Sequence, residues 1–174
     1  TRGGVRKVRI DAPGADVSVD MGVGTRALPS HITNEEGHVF DAVGMYFPNP
    51  HAVVFVDDLA SAGALRDIPQ WAPQERYPTG VNVEFVQTMG EHHIALRVHE
   101  RGVGETMSCG TGICAAVNAC RDAVRESGDA TWQVDVPGGT VFVHVTEGGE
   151  TTLRGPAEIV AELAIDEAWL GAHA

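Results

Sequence analysis

Ser108-Cys109-Gly110-Thr111-Gly112 stands where alternating, strand-like sequence gives way to helical periodicity. That places Cys109 at or just before a first helical turn, where four backbone N–H groups lack intrahelical partners and the helix dipole adds partial positive charge. Such a position attracts an anion and stabilises a thiolate, so the thiol pKa is expected to fall and Cys109 to work as a base or nucleophile near neutral pH. Gly110 and Gly112 would let a ligand approach bare backbone, and Thr111 offers a hydroxyl. The same residues also fit a plain buried cysteine beside glycines that only shape a tight turn. Cys114 lies five residues further on, about 7.5 Å along a helix and about 140° around it, so it cannot share a small ligand with Cys109. Cys114 and Cys120 therefore read as core packing.

Other polar groups stand at suggestive points. Val98-His99-Glu100-Arg101-Gly102-Val103-Gly104-Glu105 ends a strand-like run with acids and a base amid glycines. Arg101 could grip a carboxylate with two parallel hydrogen bonds and Glu100 could accept from an ammonium, although a salt-bridged strand end looks the same. Pro50 fixes the turn of Asn49-Pro50-His51, which presents Asn49 and His51 between two apolar runs. Asn82 interrupts Val81-Asn82-Val83. Each of these also has an ordinary structural reading.

The elements that must position these groups are mostly strands. Period-two runs cover 5–11, 16–21, 39–47, 52–57, 81–88, 93–99, 133–136, 141–146 and 158–165. Turn chemistry at 34–37, 88–91, 137–139 and 147–149 predicts hairpins, hence a largely antiparallel sheet. Over 110–127, Ile113, Ala116, Val117, Cys120 and Val124 recur at helical spacing with alanines on the flanks, which predicts a helix buried nearly all round; Arg121, Asp122, Arg125 and Glu126 mark its emerging end. A short second helix over 57–66 and an extended, proline-rich loop over 69–78 complete the reading. The fold class expected is α+β, a mostly antiparallel sheet wrapped around a central buried helix, in a single domain over 1–174.

Bulk properties narrow the function. The 174 residues can bury one substantial core, and 43% apolar with 21% charged residues is the composition of a globular chain. A net charge of −12 argues against a nucleic-acid partner, and the basic run from Arg2 to Arg9 reads as one strand's solvent face. No apolar run is long enough to cross a bilayer, so no membrane partner is expected. Three cysteines without a C-x-x-C pair suit a reducing cytoplasm, and the eight histidines have no zinc-ligand spacing, so no metal is expected. Thr1-Arg2-Gly3-Gly4 reads as the middle of a longer chain.

The Asn49-Pro50-His51 turn, the strand with Gly80, Asn82 and Val83, and the run over 97–112 that opens the helix follow the order of the pyridoxal-independent diaminopimelate epimerases, and the run over 97–112 resembles that family's second cysteine signature. The similarity continues through Val136-Pro137-Gly138-Gly139 and Leu153-Arg154-Gly155-Pro156, covering most of the chain from Val17 onward. The resemblance implies a domain that faces a second one of similar fold across the substrate, and epimerisation of LL- to meso-diaminopimelate in lysine and peptidoglycan synthesis without a cofactor. It implies Cys109 as one of two catalytic thiols, with His51 and Glu100 as their polar neighbours. It also implies Asn49, Asn82, Glu100 and Arg101 as substrate-binding residues, and N–H groups of Gly110 and Thr111 on the α-carboxylate. The family's other cysteine belongs to an A-x-C-G-N-G-x-R-type run with no counterpart here. The chain is thus expected to be a carboxyl-terminal half, inactive alone, partnered by that first domain in a homodimeric enzyme, with 157–174 as the tail returning to it. Phe47-Pro48 stands where the family has glycine before the Asn. Alternatives are a non-catalytic amino-acid-binding domain and another racemase or isomerase of the same superfamily.

Overall fold

The computed structural model describes residues 4–12, 14–165 and 169. Its strands, in chain order, are β1 (Val8–Ile10), β2 (Val17–Val23), β3 (Thr25–Thr33), β4 (Val39–Tyr46), β5 (Pro50–Phe55), β6 (Gln70–Ala72), β7 (Asn82–Gly90), β8 (His93–Glu100), β9 (Gly104–Thr106), β10 (Ala130–Val136), β11 (Gly139–Val145) and β12 (Glu150–Gly155). Its helical elements with described bounds are the α-helix α1 (Gly110–Val124) and two 3-10 turns, Leu59–Ala62 and Gln74–Arg76. The strands form a single sheet ordered β1-β2-β12-β11-β10-β8-β7-β5-β4-β3-β6, with β9 pairing β8 off this path.

This topology corrects the expectation of an α+β domain built as a mostly antiparallel sheet around one central helix. The sheet is mixed, with β5 parallel to β7 and β8 parallel to β10, and one helix of 15 residues serves twelve strands. Parallel neighbours need long crossovers, and the connections over 56–81 and 101–129 supply them, the second carrying α1. There are also two cores rather than one. Because side chains alternate along a strand, Val53, Val86, Leu96, Val98, Val134 and Val143 face α1, while Ala52, Val54, Val83 and Phe85 point the other way, to Ile32, Leu65 and Tyr77. The second core has a 3-10 turn, not a helix, over it.

Smaller expectations change with it. The hairpins at 34–37, 88–91, 137–139 and 147–149 join β3 to β4, β7 to β8, β10 to β11 and β11 to β12. The helix expected over 57–66 is the turn Leu59–Ala62, capped by Asp58, whose carboxylate accepts from Ala60 N–H. The loop over 69–78 contains β6. The strand expected over 158–165 is not formed, and Ile159, Val160, Leu163 and Ile165 are exposed. Of the tail expected over 157–174, 157–165 carries no regular structure and most of the remainder lies outside the described residues.

In α1, Ile113, Ala116, Val117 and Cys120 are buried as their spacing requires, and Val124 is exposed. Arg121, expected at an emerging end, is instead buried: it donates to the Val145 and Gly128 carbonyls and pairs with Glu126 at 3.2 Å. The helix stops at Arg125, whose φ of 54° turns its N–H back to the carbonyls of Arg121 and Asp122.

Candidate active site

Cys109 caps α1 from extended backbone, with φ −129° and ψ 104°, and its carbonyl accepts from Ile113 N–H at 2.8 Å. The chain leading to it is held on two sides. β9 pairs with the end of β8, Val98 opposite Thr106, and the Met107 carbonyl accepts from Gly138 N–H at 2.8 Å in the β10–β11 turn. The Cys109 Sγ lies 3.5 Å from Thr111 Oγ1. The expected fall in thiol pKa is reversed in this setting. Burial pushes the thiol up, the Thr111 hydroxyl and the Gly112 N–H pull it back by less, and Glu84 and Glu100 push it further up. The setting therefore favours the thiol over the thiolate. Burial pushes Cys120 up to about 12 and Cys114 higher still, as suits core packing.

A cleft of about 730 Å³ opens before the helix start. Asn49, Glu100, Arg101, Cys109, Gly110 and Thr111 all line it, although they come from a turn, a strand end and a helix start far apart in sequence. Glu100 ends β8 on the face that carries Ile94, Leu96 and Val98 toward α1, and its Oε1 accepts from Thr106 Oγ1 at 2.6 Å. Arg101 lies across Gly80, where a Cβ would come within 2.8 Å of Arg101 Cδ and where φ is +85°. Its Nη1 donates to the Thr79 carbonyl and hydroxyl at 3.2 and 3.1 Å.

His51 and Asn82 do not line the cleft. Both are buried behind it, at 0% and 4% exposure. Asn82 Oδ1 accepts from the Arg101 backbone N–H at 2.8 Å, so it sets where Arg101 leaves the strand. His51 Nε2 lies 3.1 Å from Asn49 Oδ1 and its Nδ1 2.7 Å from Glu84 Oε1.

Two participants were missed in the sequence. Glu84 sits inside an apolar run at the same parity as Asn82 and Val86, so the period-two pattern alone puts an acid on the helix-facing side, and that was the available signal. Arg6, with Val8, Val19 and Met21, forms a wall of the cleft rather than a solvent face. No local signal marks this, because the wall is set by pairing of β2 with β12. Gly112 also differs from expectation: it faces inward, where a Cβ would come within 2.5 Å of Glu84 Oε1, so its bareness admits a protein carboxylate rather than a ligand.

A family profile described as Diaminopimelate epimerase matches residues 44–160, which include the whole of this cluster except the β1–β2 wall. The chain belongs to the diaminopimelate epimerase family. It is 47% identical to the diaminopimelate epimerase of Streptomyces coelicolor, over 98% of this chain and 60% of that protein, and 45% identical to that of Corynebacterium glutamicum strain R, over 92% and 59%. The chain thus spans about 60% of the length of the curated relatives it matches. Among solved structures it is similar to a probable proline racemase from Agrobacterium radiobacter K84, with TM-score 0.62 and 15% identity over 87% of this chain and 54% of that one. A hydroxyproline epimerase from Agrobacterium vitis gives TM-score 0.60 and 15% identity over 84% and 52%. At that identity the likeness is one of fold. Among the described residues, no helix is long and apolar enough to cross a membrane.

Proposed function

We propose that the protein carries out cofactor-independent epimerisation of LL-diaminopimelate to meso-diaminopimelate, with Cys109 as one of two thiols. The observation that carries this reading is the position of Cys109 in a chain of this family: a thiol capping α1, in a cleft shared with Glu100, Arg101 and the first N–H groups of the helix.

The substrate's α-carboxylate sits at the helix start and accepts from the Gly110 and Thr111 N–H groups, which have no carbonyl to bond within the helix. That places the α-carbon over Sγ. The helix dipole and these N–H groups stabilise the negative charge that grows on the carboxylate as the α-proton leaves. A base on the opposite face, the thiolate of a second cysteine outside this chain, takes that proton while Cys109 gives its own to the near face, inverting the centre. In the reverse direction the two thiols exchange roles. Arg101 keeps Nε and Nη2 for a substrate carboxylate, Glu100 accepts from an ammonium, and Asn49 and Asn82 hold the substrate's polar ends, Asn82 through Arg101. Glu100 is the thiol's polar neighbour in the cleft, and His51 stands behind it, joined to Asn49 and Glu84. The partners are the domain that bears the second thiol and, as a homodimer, a second copy; the setting is the cytoplasm, in lysine and peptidoglycan synthesis.

The test is incubation of the full-length protein with LL-diaminopimelate in heavy water, following inversion and solvent deuterium at the α-carbon. The expected result is meso product carrying one deuterium, lost in Cys109→Ser with the fold intact. Inversion that persists in Cys109→Ser would remove Cys109 from the chemistry.

A further inference from the structure

The face of β5 and β7 that meets α1 is apolar at Val53 and Val86 but carries two ionisable side chains wholly out of water. His51 and Glu84 are each 0% exposed, on neighbouring parallel strands, with Nδ1 2.7 Å from Oε1. The far ring nitrogen, Nε2, lies 3.1 Å from Asn49 Oδ1, and Asn49 lines the cleft. With the Asn49 amide oxygen turned toward the ring, Nε2 carries the hydrogen of that bond. Glu84 Oε2 has no hydrogen-bond partner. The first turn of α1 rests directly on this carboxylate, because Gly112 has no Cβ to hold it off. A buried acid with one oxygen unbonded is costly, and an apolar side chain would fill the space at less cost. Packing alone does not account for Glu84.

We propose that Glu84 is a positioning residue that holds His51 with its Nε2–H aimed at Asn49 Oδ1, and thereby turns the NH2 end of the Asn49 amide toward the cleft. Both ring bonds are made at once when one hydrogen lies on Nε2 and a second lies between Nδ1 and Glu84 Oε1. Without Glu84, a buried neutral imidazole is free to move its proton to Nδ1. Nε2 would then accept, the Asn49 amide would reverse, and an oxygen would face the ligand in place of a donor. Glu84 thus decides the polarity of this side of the cleft: the subsite takes an acceptor, such as a substrate carboxylate oxygen, and disfavours an ammonium. The assignment of that acceptor rests on the function proposed above, whereas the orientation of the ring and amide stands without it.

Long-range nitrogen–proton NMR of the full-length wild-type protein reads the ring directly. The expected spectrum has His51 Nε2 protonated, with no substrate needed, and a bare Nε2 would overturn the proposal. A double-mutant cycle then tests the route. Glu84→Leu and Asn49→Ala should each lower kcat/KM for LL-diaminopimelate by roughly ten- to a hundredfold, mostly through KM, the scale of one hydrogen bond to a charged group. The double variant should be no worse than Asn49→Ala alone; losses that multiply would show that Glu84 acts elsewhere and would sink the proposal. If Glu84→Leu does not fold, the wild-type spectrum still decides. A protein that shows the expected ring state but does not epimerise would instead refute the proposed function.

Discussion

Replacing Gly112 by alanine adds one methyl group where there is no room for it. The new Cβ would stand 2.5 Å from Glu84 Oε1 and 3.2 Å from its Cδ and Cγ. Glu84 is fully buried and tied to His51, so it has no solvent to retreat into. In an open helix the change from glycine to alanine stabilises by about 1 kcal/mol. Here it meets overpacking worth roughly 1–3 kcal/mol. If the carboxylate swings aside, it also loses its charge-assisted bond to His51, roughly 1.5–3 kcal/mol. The sum is a net destabilisation of roughly 1.5–5 kcal/mol, opposite in sign to helix propensity. Urea unfolding followed by the fluorescence of buried Trp132 measures it. Adding Glu84→Ala should recover part of the loss, since the obstacle is then gone, so the double variant should be more stable than the two single effects summed. A Gly112→Ala protein as stable as the wild type would refute the contact between α1 and this carboxylate.

Because burial raises the Cys109 thiol, its alkylation by iodoacetamide should be slow at neutral pH and climb through and beyond the ordinary thiol range; Thr111→Val, which removes a hydroxyl that favours the thiolate, should move that climb to still higher pH. His99 is buried with neither ring nitrogen hydrogen-bonded, and burial lowers its pKa. The unfolded chain therefore binds the extra proton first, so this contribution to stability is full above about pH 6.5 and is lost as pH falls below it, a slope that His99→Leu should flatten in thermal melts. Arg121→Leu strips donors from two carbonyls and a partner from Glu126, and should cost roughly 3–5 kcal/mol by urea denaturation. Residues 1–174 alone should neither invert diaminopimelate nor exchange its α-proton in heavy water.

What could be read from the sequence was whatever is local. The start of α1 at Cys109, its buried stripe and four hairpin turns each depend on neighbours within a few residues, and Asn49, Glu100, Arg101, Cys109, Gly110 and Thr111 do meet in one cleft. Long-range pairing was not legible. β3 hides because Pro29 and a register shift between Ala27 and Ser30 break its alternation. β12 is a short, threonine-rich strand that owes its place to β11 and β2 on either side. The run over 158–165 has the right alternation and is not a strand in the structure. The direction of the Cys109 shift failed for a related reason. The helix start was visible in the sequence, but the two carboxylates and the burial that outweigh it come from β7 and β8.

Among the described residues, the wall of the cleft formed by Val8, Val19 and Met21 is hydrogen-bonded to the rest of the sheet through β12, where Val17 pairs with Gly155. During synthesis, β5, β7, β8 and α1 can meet as soon as they leave the ribosome, but β2 must wait with its apolar face open until the last strand of the sheet has emerged. The strand that closes the cleft in front of the thiol is therefore made after every element that carries the thiol, and Leu153 on that strand completes the seat of the helix start at Gly110.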